Sequence, residues 1–153
     1  MRRYPHARES LIESLSSPFL TDLTDVRSVI RENGRSMAFQ ALVLRLSRET
    51  GADLEDVSST LVRLVRNGGI PSLKLPDDKN GRRKCISFLL GDRCGRVLLF
   101  SDEKAVREEI ARIYTDMQAR VAREAKGDER RNLRRIVTNI QRCLVSQLDG
   151  GGR

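Results

Sequence analysis

The chain has 153 residues, a third of them charged, and a formal net charge of +8. That length suits one domain with its own core, or a small domain with an appendage, and the absence of tryptophan makes the core aliphatic. Cys85, Cys94 and Cys143 share no short spacing, which argues against a disulfide framework or a zinc site. No apolar run reaches the roughly 18 residues that span a bilayer. The expectation is a soluble cytoplasmic protein with no cofactor and no membrane partner.

Residues 1–20 read as an arm with one short helix. Leu11, Ile12 and Leu15 recur at helical spacing, and Pro18 ends the run because proline disfavours helix in the residue before it. Residues 21–33 form the next predicted helix, with Leu23, Val26, Val29 and Ile30 on one face and a stop at Asn33-Gly34. Ser36 is a candidate cap for a helix over 36–50, striped by Phe39, Leu42, Val43 and Leu46. After a short turn at Gly51, Asp53 is expected to cap a helix over 53–67, since a carboxylate can accept from the orphan amides of a first turn. Leu54, Val57, Leu61, Leu64 and Val65 make its apolar stripe, and Asn67-Gly68-Gly69 its stop.

Two β-prone runs, 70–75 and 84–90, flank the Asn80-Gly81 dipeptide, a strong hairpin signal. A third strand is predicted over 96–100, then a helix over 102–126, opened near Ser101, and a last helix over 128–148. Residues 150–153 read as a flexible tail. The predicted fold class is mainly α with a small β-hairpin wing. A helix-turn-helix core over 21–101 would be followed by a C-terminal helical pair over 102–149. Ile110, Ile113 and Met117 on one of these helices, and Leu133, Ile136, Ile140 and Leu144 on the other, line apolar seams. A core this small is expected to leave them uncovered, and such seams pair with a copy of themselves.

Charge is concentrated in the predicted wing. Between Lys79 and Arg96 the chain holds Lys79, Arg82, Arg83, Lys84, Arg93 and Arg96 against Asp92 alone. Ser59, Arg63 and Arg66 fall on the face of helix 53–67 opposite its apolar stripe. Side chains of this type and spacing can reach base edges and phosphates, so Ser59, Arg63, Arg66, Lys79, Arg82, Arg83 and Lys84 are the candidate DNA-binding residues. Glu55 and Asp56 on the same helix would repel phosphate, although acids also suit a helix N-terminus.

These features together resemble the MarR-type transcriptional regulators. The resemblance covers about 23–148 and rests on the helix pair 36–50 and 53–67, Gly68-Gly69-Ile70 at the entry to the wing, the stretch PDDKNGRRKCISF, and Gly-Arg-Val-Leu after it. It implies a homodimer on a pseudo-palindromic double-stranded operator, with one recognition helix per half-site and the wings beside them; the sequence does not identify any small-molecule effector. Two departures are visible. The family's wing carries an Asp-x-Arg pair, whereas Lys79-Asn80-Gly81 separates Asp78 from Arg82, and the first helix is short. Winged-helix subunits that bind proteins, in proteasome-lid and endosomal-sorting complexes, share this grammar and give the alternative reading, an adaptor in a larger complex.

The remaining signals have plainer readings. Arg130, Arg131, Arg134 and Arg135 read as the wet side of the last helix. Cys94 lies between Arg93 and Arg96, a setting that lowers a thiol pKa and would suit redox sensing, but the plainer reading is a passive cysteine; Cys143 falls on the apolar seam. His6 lies in the arm, so no Ser or Cys has a histidine partner, and no catalytic constellation is visible. The chain is not expected to be an enzyme.

Overall fold

A computed structural model of the chain describes residues 23–79 and 84–149. They form α1 (Leu23–Glu32), β1 (Ser36–Ala38), α2 (Phe39–Thr50), α3 (Leu54–Arg66), β2 (Ser72–Lys74), α4 (Cys85–Leu90), a 3-10 turn (Gly91–Arg93), β3 (Val97–Phe100), α5 (Glu103–Glu124) and α6 (Gly127–Asp149). The protein is mainly helical with one small antiparallel sheet, in which the strand order is β1-β3-β2. The predicted arm helix, the Asn80-Gly81 turn and the glycine tail lie outside the described residues.

The chain divides into two compact units. In the first, residues 23–72 together with 98–105 among those described, the centres of the predicted apolar stripes are buried. Val26, Ile30, Leu42, Leu46, Val57 and Leu61 are fully buried. Gly51 ends α2 in the left-handed conformation at φ +78°. Around it the Ser47 hydroxyl donates to the Ala52 carbonyl at 2.6 Å and the Ala52 amide donates to the Thr50 hydroxyl at 3.1 Å. The connection from α2 to α3 is thus a tight turn fixed by its own side chains. At the far end of α3, Gly68 takes φ +78°. Its amide bonds to the Val65 carbonyl and that of Gly69 to the Leu64 carbonyl, the paired bonds of a Schellman cap.

Several local expectations are corrected here. Ser36 caps no helix but opens β1, which pairs antiparallel with β3 in the register Ser36↔Phe100, Met37↔Leu99, Ala38↔Leu98. Asp53 stands at the N-cap position of α3, yet its side chain makes no capping bond. The Asp53 carbonyl instead accepts from Val57 at 3.0 Å. Leu54, assigned to the stripe, is half exposed at 51%, because the first residue of the helix lies beyond the edge of the core. The cap of α5 is Asp102 rather than Ser101: its carboxylate accepts from the Ala105 amide at 2.9 Å.

The second unit comprises, among the described residues, 73–79, 84–97 and 106–149. Here the predicted strand over 84–90 is a helix, α4. Ile86 and Phe88 favour strand, but strand preference depends on context and yields to packing. Charged side chains hold α4 at both ends. The Asp78 carboxylate accepts from the amides of Ile86 and Ser87, both at 2.9 Å, and from the Ser87 hydroxyl at 2.8 Å. At the other end the Arg120 guanidinium donates to the carbonyls of Leu89 at 2.8 Å and Phe88 at 3.3 Å. An acid at the N-terminus and a cation at the C-terminus both match the helix dipole.

The long helices are tied down as well. Arg93 donates to the buried Glu109 at 2.9 Å and to Asp116 at 3.2 Å, fixing the 3-10 turn to α5. Gln147 on α6 bonds both polar groups of Lys74, accepting from its amide at 2.8 Å and donating to its carbonyl at 2.9 Å. One side-chain amide therefore occupies the outer edge of β2 as a neighbouring strand would, which covers an edge otherwise open to pairing.

Candidate nucleic-acid interface

The predicted recognition surface on α3 is present as an exposed face. Ser59, Arg63 and Arg66 are all exposed, and among the described residues neither arginine has an ion-pair partner. Val57, Thr60 and Leu61 bury the opposite side, so the apolar stripe decides which side chains face outward. Val62, which the spacing does not mark, is 39% exposed between these polar residues. Arg27 of α1, also unanticipated, donates to the Gly69 carbonyl at 3.0 Å and so fixes the turn that follows α3. Glu55 is exposed and Asp56 half-buried. The carboxylates sit in the first turn while Arg63 and Arg66 sit in the last, so the cationic end of the helix lies away from them.

In the second unit Lys79 and Lys84 are exposed, and Arg82 and Arg83 lie outside the described residues. Asp78 caps α4 through Ile86 and Ser87, with Lys79 next to it in sequence and Lys84 immediately before the helix. Burial works against ionisation of Asp78, but the bonds from Ser87 and Ile86 and the Lys84 charge outweigh it. The carboxyl is held below its ordinary range.

Two further expectations are corrected. The Cys94 thiol is not activated: burial pushes its pKa up, and the Asp78 and Asp77 carboxylates push the same way. Its sequence neighbours are cations, but its neighbours in space are acids. Cys143 is exposed rather than core. The premise of an uncovered seam fails as well. Ile110, Ile113, Met117, Leu133, Ile140 and Leu144 are each at most 5% exposed within the single chain, and Ile136 is half-buried.

The chain matches no family model, no curated protein and no solved structure. Geometry must therefore carry the functional argument. Among the described residues no three His, Cys, Asp or Glu side chains gather where a metal ion could bind, and no described helix is long and apolar enough to cross a membrane. What the two units offer is cationic surface: the end of α3 in one, and the lysines beside α4 in the other.

Proposed function

We propose that this protein is a winged helix-turn-helix DNA-binding regulator, with α3 as its recognition helix and the connection between β2 and β3 as an enlarged wing. One observation carries the reading. The order helix, strand, helix, helix, strand, then α4 and the 3-10 turn, then strand, with the sheet ordered β1-β3-β2, is the order winged helices use apart from the helical insertion between the last two strands, and the cationic end of α3 is exposed. In such proteins the second helix of the helix-turn-helix enters the major groove. Arg63 would then read guanine, Ser59 a neighbouring base, and Arg66, Lys79 and Lys84 would grip phosphates. The likeness to MarR-type regulators belongs to the same proposal. The helix α4 inside the wing and the buried C-terminal seam are its points of difference, and DNA binding by α3 does not depend on a dimer formed through that seam.

The alternative, a protein-binding adaptor, is favoured by Leu44 and Leu54. Both leucines are 51% exposed in the first unit. A gel shift with random duplexes at low and high salt separates the two. The DNA reading expects retarded complexes that dissolve steeply as salt rises. A protein that retards no duplex at low salt is the adaptor.

A further inference from the structure

We propose that the outer face of α6 is a second, independent contact for duplex DNA: a stripe of arginines that grips the phosphate backbone. From Arg130 to Leu148 the chain holds five arginines and neither Asp nor Glu. At about 100° per residue, Leu133, Val137, Ile140 and Leu144 share one side of the helix, and all four are buried. Arg131, Arg135, Thr138 and Arg142 lie on the opposite side within a strip about 60° wide, and all four are exposed. The stripe runs about 16 Å at 1.5 Å per residue. Arg130 is turned away from it, donating to the carbonyls of Ala125 at 3.0 Å and Ala122 at 3.2 Å. The sequence cluster of four arginines is thus reshaped by the fold into a longer line that includes Arg142.

The stripe is open to a ligand. Arg131 reaches Asp128 at 3.3 Å, but the two side chains are 83% and 97% exposed, and so wet a pair holds little. Among the described residues, Arg135 donates only to the neutral Asn132 side-chain carbonyl, at 2.6 Å, and Arg142 has no ion-pair partner. The chemistry points to phosphate. Every cation from Arg130 to Leu148 is arginine, whose planar fork matches phosphate oxygens in pairs; the Thr138 hydroxyl between them donates within the helix, to the Arg134 carbonyl at 3.1 Å, and Asn139 adds a neutral donor of the kind that binds backbone oxygens. A bilayer surface fits poorly, because an interfacial helix needs its apolar side for lipid and α6 has spent that side on the core.

Replacing Arg131, Arg135 and Arg142 together with Gln keeps the side chains long and uncharged at exposed positions. Fluorescence anisotropy on a random duplex through a salt series reads the result. The salt slope should fall by about 2–3 units, and low-salt affinity by about ten-fold or more. The Arg→Lys triple variant should keep the slope, since charge governs counterion release, and Arg142→Gln alone should lower it by about one unit. An unchanged slope in both Gln variants overturns the stripe. If the wild-type protein still prefers certain sequences in that case, the recognition-helix reading stands. If the slope falls while Arg63→Ala has no effect on affinity or preference, the stripe stands and that reading falls. A wild-type chain that binds no duplex overturns both.

Discussion

Replacing Asp78 with Ala should loosen the first turn of α4 without unfolding the protein. The Asp78 carboxylate accepts three hydrogen bonds, from the Ile86 amide, the Ser87 amide and the Ser87 hydroxyl. Losing a capping side chain costs about 0.5–2 kcal/mol. The three bonds here all go to one charged acceptor, which puts the loss near the top of that range, at about 2 kcal/mol. With about 1.4 kcal/mol per factor of ten, opening of the first turn of α4 becomes about 30-fold more frequent. Amide hydrogen exchange reads this directly: protection at Ile86 and Ser87 should fall by that factor, while protection in α5 stays unchanged. The pH dependence has a definite sign. The folded state holds this carboxyl below its ordinary range, so its contribution is complete above that range and is lost as pH falls through the folded value. Wild-type protection factors at the two amides should therefore decline on acidification below the ordinary aspartate range, and those of Asp78→Ala should not. Equal protection in the two proteins at neutral pH would refute the capping argument.

Two further outcomes follow from the fold. Gly68→Ala meets no atom within 4 Å but forces a side chain onto φ +78°, so its cost is backbone strain of about 1–2 kcal/mol, visible as a lower midpoint in urea; an unchanged midpoint would mean that the turn relaxes freely. Ile140→Asp places a carboxylate at a position 3% exposed and should unfold the second unit at every protein concentration, as judged by circular dichroism. A folded monomer produced from a wild-type dimer would instead restore the uncovered seam.

The helices were legible because burial follows period. Val26, Ile30, Leu42, Leu46, Val57 and Leu61 announce their faces in the sequence, and the same periodicity singles out Ser59, Arg63 and Arg66 by exclusion. What escaped depends on partners far along the chain. Strand β1 is three residues long, too short for an alternating pattern, and exists because β3 lies beside it. Helix α4 replaces a predicted strand because Asp78 and Arg120, neither adjacent in sequence, hold its two ends. The long seam on α5 and α6 shows its period but not what covers it, and here the chain covers it alone. The surroundings of Cys94 are hidden from the sequence for a similar reason, as carboxylates from residues 77 and 78 approach it in space. Val62 and Leu54 belong to a helix whose apolar stripe is wider than the core beneath it, and only the folded chain reveals which edge stays wet.

The central claim is that α3 reads DNA sequence, and Arg63→Ala tests it most directly. The side chain is exposed and lies off the buried stripe, so the variant should keep the wild-type circular dichroism spectrum and melting midpoint. Both proteins would be titrated against a duplex selected by the wild type from a random pool, and against random duplex at the same salt. Loss of a bidentate contact to guanine should cost about 1–3 kcal/mol on the selected sequence and much less on random DNA, compressing the specificity ratio. An equal loss on both duplexes, or no selected sequence at all, would contradict readout by this helix.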